Sequence, residues 1–298
     1  MNTAILMDVK RFSVHDGPGV RTTLFFKGCT LKCKWCHNPE GLYPQPEMSY
    51  YSRKCLNCGE CAIVCPQKAH IFSDKGHEFQ KNLCVSCGKC EEVCLGEAMR
   101  KYGKSITVDA AMNIALEDRC FYHETGGITV SGGEPLRNSS FIAELFSKLK
   151  SEKIHTAIDT CGNVSWKDFQ RVLPFTDLFL YDIKHWDSNC HLQWTGCGNE
   201  LILSNLARLS QAGAQIEVRI PLIPGCNDDI TVLENIANFL LRHRIFNVRI
   251  LPYHDLSRSK YEALQMNYSM PDIPSPYSEC ISKIVQYYQN LGLNALSG

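Results

Sequence analysis

No stretch of the 298 residues approaches the 18 or so apolar positions that a membrane-crossing helix needs. The opening MNTAILMDVKRF has no charged start followed by a long apolar run, so no secretion leader is expected. Neither charge is in surplus, with 31 Lys and Arg against 31 Asp and Glu. Nucleic-acid binders usually show a basic excess or a basic stripe. The expectation from these absences is a globular, cytoplasmic protein with no membrane and no nucleic-acid partner.

Cysteine is what the sequence has in excess. There are 17, and 11 of them fall in three tight groups before residue 95. A secreted disulfide scaffold is usually short, and this chain is not. In a reducing compartment, clustered thiols read as metal ligands.

From residue 104 onward, short β-rich runs alternate with longer amphipathic stretches. Strands are predicted at 127–131, 155–160, 177–183, 215–220 and 246–251, with an earlier one at 22–27. Helices are predicted at 109–122, 138–152, 199–212, 230–243 and 277–291, and Ser165 with Asp168 suggests a short capped helix before Pro174. Alternation of this kind calls for an α/β fold with a parallel sheet and right-handed crossovers. Six units suit a partial or complete barrel, or an open doubly wound sheet, and pattern does not choose between them.

The first two predicted strands begin about 100 residues apart, far more than the others. The excess holds two copies of one pattern. The first is Cys55-x2-Cys58-x2-Cys61-x3-Cys65, followed by Pro66, and the second is Cys84-x2-Cys87-x2-Cys90-x3-Cys94, followed by Leu95. This is the spacing of bacterial two-cluster ferredoxins, in which the fourth cysteine of each run serves the other cube. By that rule Cys55, Cys58, Cys61 and Cys94 hold one [4Fe–4S] cluster, and Cys84, Cys87, Cys90 and Cys65 hold the other. Paired zinc sites would need only the CxxC units. Residues 47–103 thus read as a ferredoxin-like insertion folded around metal. It divides a main domain into residues 1–46 and 104–298.

Upstream, Cys29-x3-Cys33-x2-Cys36 follows a predicted strand and Gly28. Three thiolates can hold three irons of a cube and leave the fourth open, as a catalytic metal site requires. Ser131-Gly132-Gly133-Glu134-Pro135 ends the second strand. Together these segments resemble the radical S-adenosylmethionine (SAM) superfamily. HDGPGVRTTLFFKGCTLKCKWCHNPEG, IDTCG, DIKHWD, TGCGNE, VRIPLIPGCND and LPYHDLSRSKY resemble, nearly end to end, the activating enzymes of glycyl-radical enzymes. The inserted segment resembles the subgroup serving dehydratases, lyases and decarboxylases.

The resemblance implies a partial (β/α)6 TIM-like barrel and three [4Fe–4S] clusters. In that family, SAM bound at the open iron is cleaved reductively to methionine and a 5′-deoxyadenosyl radical, which takes a hydrogen atom from a backbone glycine of a partner enzyme. Reduced flavodoxin or ferredoxin supplies the electron. Gly132, Gly133 and Glu134 would meet the SAM amino group, and Trp35 and His37 would line its adenosine side. Asp159, Thr160 and Asp182 would bind a monovalent cation beside its carboxylate. Lys184 and Arg219 would contact SAM, His254 its ribose or adenine, and Asp16 would lie near the incoming glycine. Most of these residues fall near the C-terminal ends of predicted strands, the face where barrel enzymes gather their catalytic groups. Cys120, Cys161, Cys190, Cys197, Cys226 and Cys280 lack ligand spacing and read as ordinary thiols. Two other readings are a radical SAM enzyme acting on a small molecule or RNA, and a non-catalytic iron–sulfur electron carrier.

Overall fold

A computed structural model describes residues 2–298. The chain opens with β1 (Thr3–Ser13) and β2 (Arg21–Phe26). The segment that follows carries β3 (Glu47–Tyr50), α1 (Glu60–Val64), β4 (His70–Ser73), β5 (Gly76–Phe79), α2 (Lys89–Glu92) and β6 (Met99–Tyr102). Next come β7 (Lys104–Thr107), α3 (Val108–Glu117), β8 (Gly127–Gly132), α4 (Ser139–Ser151), β9 (His155–Thr160), α5 (Trp166–Val172) and β10 (Leu178–Asp182). The chain closes with α6 (Ser188–Thr195), α7 (Glu200–Gln211), β11 (Ile216–Leu222), α8 (Ile230–Arg242), β12 (Asn247–Pro252), α9 (Arg258–Ala263), α10 (Ser278–Asn290) and β13 (Asn294–Ser297).

Nine strands form one sheet in the order β13-β12-β11-β10-β9-β8-β2-β1-β7. From β2 to β13 all neighbours run parallel, and β1 and β7 add antiparallel strands at one edge. The parallel strands add one after another in a single direction. A doubly wound sheet reverses direction at a switch point, so that alternative is excluded. Right-handed crossovers in a one-way series place the helices on one face.

Strand alternation then sorts the side chains. Ile128, Val130, Ile158, Phe179, Tyr181, Val218, Ile220, Val248 and Ile250 turn toward the helices and share one core with Leu145, Leu206, Ile236 and Ile284. The intervening positions, Thr129, Ser131, Asp159, Asp182, Glu217 and Arg219, turn the other way. The helices form as their sequences dictate. In α8, Leu233, Ile236, Ala237 and Leu240 repeat with the helical period on the buried side, and Asp229 caps the N-terminus by accepting from Thr231 N at 2.8 Å.

All six predicted strands are present. β1, β7 and β13 were not anticipated: β7 and β13 are four residues long, and register shifts interrupt the pairing of β1 with β2. Ser165 occupies the N-cap position of α5, yet its hydroxyl donates to the Asp168 carboxylate at 2.7 Å instead of accepting from the backbone.

Within residues 47–103, β3 pairs with β6 and β4 with β5 in two small antiparallel sheets. Met48, Cys61, Ala69, Phe79, Cys90 and Met99 pack together there, apart from the main core. The two cysteine runs fold alike. Asn57 and Ser86 have φ +52°, as do Lys68 and Glu97, and α1 and α2 each follow a glycine at φ +84° and +93°.

The segment is tied to the sheet by buried charge. Lys27 at the end of β2 has a fully buried side chain, and its Nζ lies 2.9 Å from Glu47 Oε1 and 2.5 Å from Glu40 O. Glu47 also pairs with Lys81 at 3.2 Å, and Lys81 donates to Leu264 O at 2.6 Å. Removing one member of a buried pair strands the other. Glu47→Ala should therefore destabilise the protein by about 3 kcal/mol, read as a lower denaturation midpoint under anaerobic conditions. Lys27→Met leaves Glu47 paired with Lys81 and should cost less than half as much.

Candidate active site

The C-terminal ends of the parallel strands open onto a cavity of about 520 Å³, within the range of small-ligand sites. Its wall begins where β2 ends. Gly28, at φ +92°, turns the chain, and backbone bonds from Gly28 N to Gly41 O (2.8 Å) and Cys29 N to Leu42 O (3.0 Å) close the loop that follows. That loop is pinned from below by Lys32 N to Thr195 O (2.7 Å) and Lys34 N to Trp194 O (3.0 Å). Cys29, Cys33 and Cys36 all line the cavity.

The β8 end needs its glycines for packing. A Cβ on Gly132 would sit 2.3 Å from Phe26 O, and one on Gly133 would sit 2.5 Å from Gly41 O. Both glycines line the cavity. Glu134 does not. It is fully buried, and its carboxylate accepts from Leu136 N (3.0 Å), Cys161 N (2.9 Å), the Cys161 thiol (3.0 Å) and Thr160 Oγ1 (2.8 and 2.9 Å). Burial raises its pKa above the ordinary carboxylate value, against the pull of these donors. Glu134 braces the end of β8 against the end of β9.

Asp159, Thr160, Asp182 and Lys184 line the next part of the wall. In register, Asp159 lies beside Leu180, and Asp182 beside Arg219. Asp182 accepts from Lys184 Nζ at 2.7 Å. Asp159 accepts from Ser131 Oγ at 2.7 Å and faces Arg219 Nη1 at 3.6 Å. Burial lifts the Asp159 pKa to about 6, with Arg219 acting to lower it and Asp182 to raise it. Arg219 lies behind the lining. Its Nη2 donates to His15 O at 2.8 Å, and its buried Nε has no hydrogen-bond partner among the described residues.

The far wall is aromatic. Trp35 and Tyr253 are buried together, and His37 stacks on His254 at 4.1 Å between ring centroids. His37 Nε2 donates to His254 O at 2.9 Å. Burial lowers the His37 pKa to about 4, so the ring is neutral. Trp35, His37 and His254 all line the cavity. Asp16 stands outside it, accepting from Ser13 Oγ (2.6 Å) and Thr23 Oγ1 (2.7 Å), while its neighbour His15 reaches the lining.

The structure therefore gathers 12 of the 15 residues singled out for this site, leaving Asp16, Glu134 and Arg219 behind the wall. Sequence reasoning passed over Ser131, Tyr253 and Cys161. Ser131 sat inside a quoted motif, and Tyr253 adjoins His254. Cys161 had no ligand spacing to betray it, yet it is buried at the cavity wall with its thiol on Glu134.

The donor set fits an iron–sulfur cube with one open corner. Burial pushes the Cys36 thiol up to about 12, and Cys33 is raised further by the same cause. Such thiols stay protonated unless a cation draws them into the thiolate form. Cys29 shifts the other way, its pKa lowered chiefly by a hydrogen bond with Cys161. Three cysteines on one wall, beside a lysine, two carboxylates and an aromatic shelf, suit a metal centre with a polar organic ligand docked on it.

Comparison with known proteins agrees. The Radical SAM superfamily model matches residues 23–234. A (2S)-3-sulfopropanediol dehydratase activating enzyme of Klebsiella oxytoca is 37% identical over 99% of this chain and 96% of that protein. A trans-4-hydroxy-L-proline dehydratase activating enzyme of Clostridioides difficile is 39% identical over 99% of both chains. A choline trimethylamine-lyase activating enzyme of Oleidesulfovibrio alaskensis is 38% identical over 91% of this chain and 90% of that one. Streptococcus suis SuiB, solved with its precursor peptide, is similar in fold with a TM-score of 0.54, at 12% identity over 91% of this chain and 46% of that one. A cavity with three thiols at the strand ends, and near full-length kinship with these relatives, place the chain in the radical SAM superfamily, among the activating enzymes of glycyl-radical enzymes.

Proposed function

We propose that this chain activates a partner enzyme by removing one hydrogen atom from a glycine Cα of that partner. The observation that carries the reading is the meeting of Cys29, Cys33 and Cys36 with Asp182 and Lys184 on the wall of one cavity. A [4Fe–4S] cluster held by the three cysteines, with SAM on its open iron, would supply the radical chemistry. The chain's own residues bind and orient. Lys184 offers an ammonium to the SAM carboxylate, and its bond to Asp182 fixes where that charge points. Gly132 and Gly133 present backbone toward the amino group. Trp35, His37 and His254 form the shelf for the adenosine, and the neutral His37 ring can stack without charge repulsion. Arg219 aligns Asp159 from behind the wall, and Asp16 belongs to the loop that would receive the incoming glycine. A monovalent cation is proposed at Asp159, Thr160 and Asp182. Thr160 Oγ1 donates to Glu134 and accepts from Gly162 N at 3.0 Å, which leaves one lone pair for such an ion.

The finer architecture is part of the same reading. The one-way βα series is taken to curl into a partial (β/α)6 barrel, with the cavity at its mouth. Residues 47–103 are taken as a ferredoxin-like insertion between residues 1–46 and 104–298, with two auxiliary [4Fe–4S] clusters. Two cavities support this. One is bordered by Cys55, Cys58, Cys61 and Cys94, and the other by Cys65, Cys84, Cys87 and Cys90. These are the two ligand sets expected from the spacing, each with its fourth cysteine drawn from the other run. A reduced flavodoxin or ferredoxin of the cytoplasm is the proposed donor. A non-catalytic electron carrier has no use for the strand-end cavity or its charged wall. The relatives serve partners of different chemistry at nearly equal identity, so the shared site, not the partner's substrate, is what the likeness tracks.

Reduced protein, SAM and a glycyl-radical enzyme incubated without oxygen should give a glycyl doublet by electron paramagnetic resonance. SAM cleavage without the doublet, across candidate partners, would overturn the activating role alone. Lys184→Met should raise the KM for SAM by roughly 10- to 100-fold, the worth of a hydrogen bond between charged groups. The triple variant Cys29→Ala, Cys33→Ala, Cys36→Ala should lose SAM cleavage and keep about two thirds of its iron, since two of three clusters persist. A variant that keeps none would sink the auxiliary clusters.

A further inference from the structure

The two cysteine runs are offset by 29 residues, from Cys55 to Cys84 and from Cys65 to Cys94. The same offset relates Met48 to His77 and His70 to Met99. Met48 and His70 border the cavity of Cys65, Cys84, Cys87 and Cys90, whereas His77 and Met99 border that of Cys55, Cys58, Cys61 and Cys94. Each cavity thus has one imidazole and one thioether, at exchanged positions of the repeat.

The two histidines meet. His70 Nδ1 lies 2.9 Å from His77 Nε2. On its other side, His77 Nδ1 lies 3.4 Å from Cys55 Sγ. An iron-bound thiolate has no proton to give, so His77 Nδ1 must be the donor there. Its Nε2 then accepts from His70 Nδ1–H at 2.9 Å, a far nearer partner than Cys61 Sγ at 3.9 Å, which fixes both tautomers. Packing holds the rings: His77 stacks on Phe72 with centroids 4.4 Å apart, and His70 stacks on Phe79 at 5.2 Å.

The backbone donors, by contrast, are matched. Asn57 N reaches Cys55 Sγ (3.5 Å) as Ser86 N reaches Cys84 Sγ (3.3 Å), and Ala98 N reaches Cys94 Sγ (3.2 Å) as Ala69 N reaches Cys65 Sγ (3.3 Å). No imidazole bonds a thiol of the second set among the described residues. Hydrogen bonds to cluster sulfur favour the reduced, more negative state and raise the potential. Resting on the two-cluster reading above, we propose that the His70–His77 pair breaks the symmetry of the repeat. It sets the cluster of Cys55, Cys58, Cys61 and Cys94 at the higher potential of the two. His77 is the donor to sulfur. His70 is a positioning residue, whose bond to Nε2 makes the His77 N–H a stronger donor.

The full chain carrying Cys29→Ala, Cys33→Ala and Cys36→Ala isolates the auxiliary pair for an anaerobic redox titration followed by electron paramagnetic resonance. Two midpoints are expected. In that background His77→Phe should lower the higher midpoint and draw the two together. His70→Phe should lower it by less, and His77→Gln, which keeps an N–H, should stay nearest the parent. Iron content should be equal in all of them. Unmoved midpoints in both His77→Phe and His70→Phe at full iron content would overturn the proposal while leaving the clusters standing. A parent with no iron would instead overturn the two-cluster reading beneath it. Should His77→Phe load poorly, His70→Phe, whose native side chain makes no hydrogen bond to sulfur among the described residues, decides the matter.

Discussion

The register between parallel neighbours is the constraint from which the site follows. A one-residue slip in a strand exchanges its two faces. Slipping β9 would bury the Asp159 carboxylate among the helices and push Ile158 into the cavity. The large apolar residues of alternate positions, Ile158, Phe179, Tyr181, Val218 and Ile220, each fully buried, make that slip too costly. The helix-facing core thus dictates which groups appear at the mouth. The pairing of Asp182 with Arg219, and of Phe26 with Gly132, then sets their heights along the strands. Chemistry at the strand ends is a by-product of hydrophobic packing one residue away.

Charge on the wall and in the strand layer behind it is arranged in a chain that leaves each carboxylate with a basic partner. Asp182 has Lys184, Asp159 has Arg219, and Glu217 has Arg249 in a two-pronged pair at 3.0 Å. Buried carboxylates without such partners would take up protons. Arg219 stands between Asp159 and Glu217, with its Nε 3.5 Å from Glu217 and its Nη2 committed to His15 O. It therefore ties the strand ends to the loop after β1, where Asp16 lies. A ligand that enters meets a preset field and need not organise one.

Much of this was legible in the sequence, for reasons that also explain what was not. The parallel strands show because they are apolar runs between amphipathic helices. β1, β7 and β13 are sheet-edge elements whose half-exposed residues leave little pattern. The clustered cysteines show because the spacing a cube would demand is a local pattern. Glu134 lies in a legible motif, yet its side chain turns away from the cavity toward Thr160 and Cys161, 26 and 27 residues on. That turn depends on a tertiary contact, which spacing does not encode. Cys161 went unread for the same reason: its role comes from Glu134, and alone it is one thiol among many. The histidines at 70 and 77 carry no ligand spacing either, and only the folded repeat brings their rings together.

Residues 47–103 are not a passenger on this sheet. Lys260, in α9, donates to His37 O, Asn38 Oδ1 and Glu40 Oε1, all just beyond Cys36. Glu40 O accepts from Lys27, Lys27 pairs with Glu47 at the start of β3, and Glu47 pairs with Lys81, three residues before Cys84. Gln265, just after α9, reaches back to Phe79 O at 2.7 Å. The segment that anchors the end of the three-cysteine loop is thus the segment that docks residues 47–103. Buried ion pairs are poor sources of net stability but are directional. Here direction is what matters, because it fixes how residues 47–103 seat against the strand ends. A hydrophobic seam of equal strength would let residues 47–103 slide. Lys27, with no exposed side-chain surface and two carboxylate-bearing residues around it, permits one seating only.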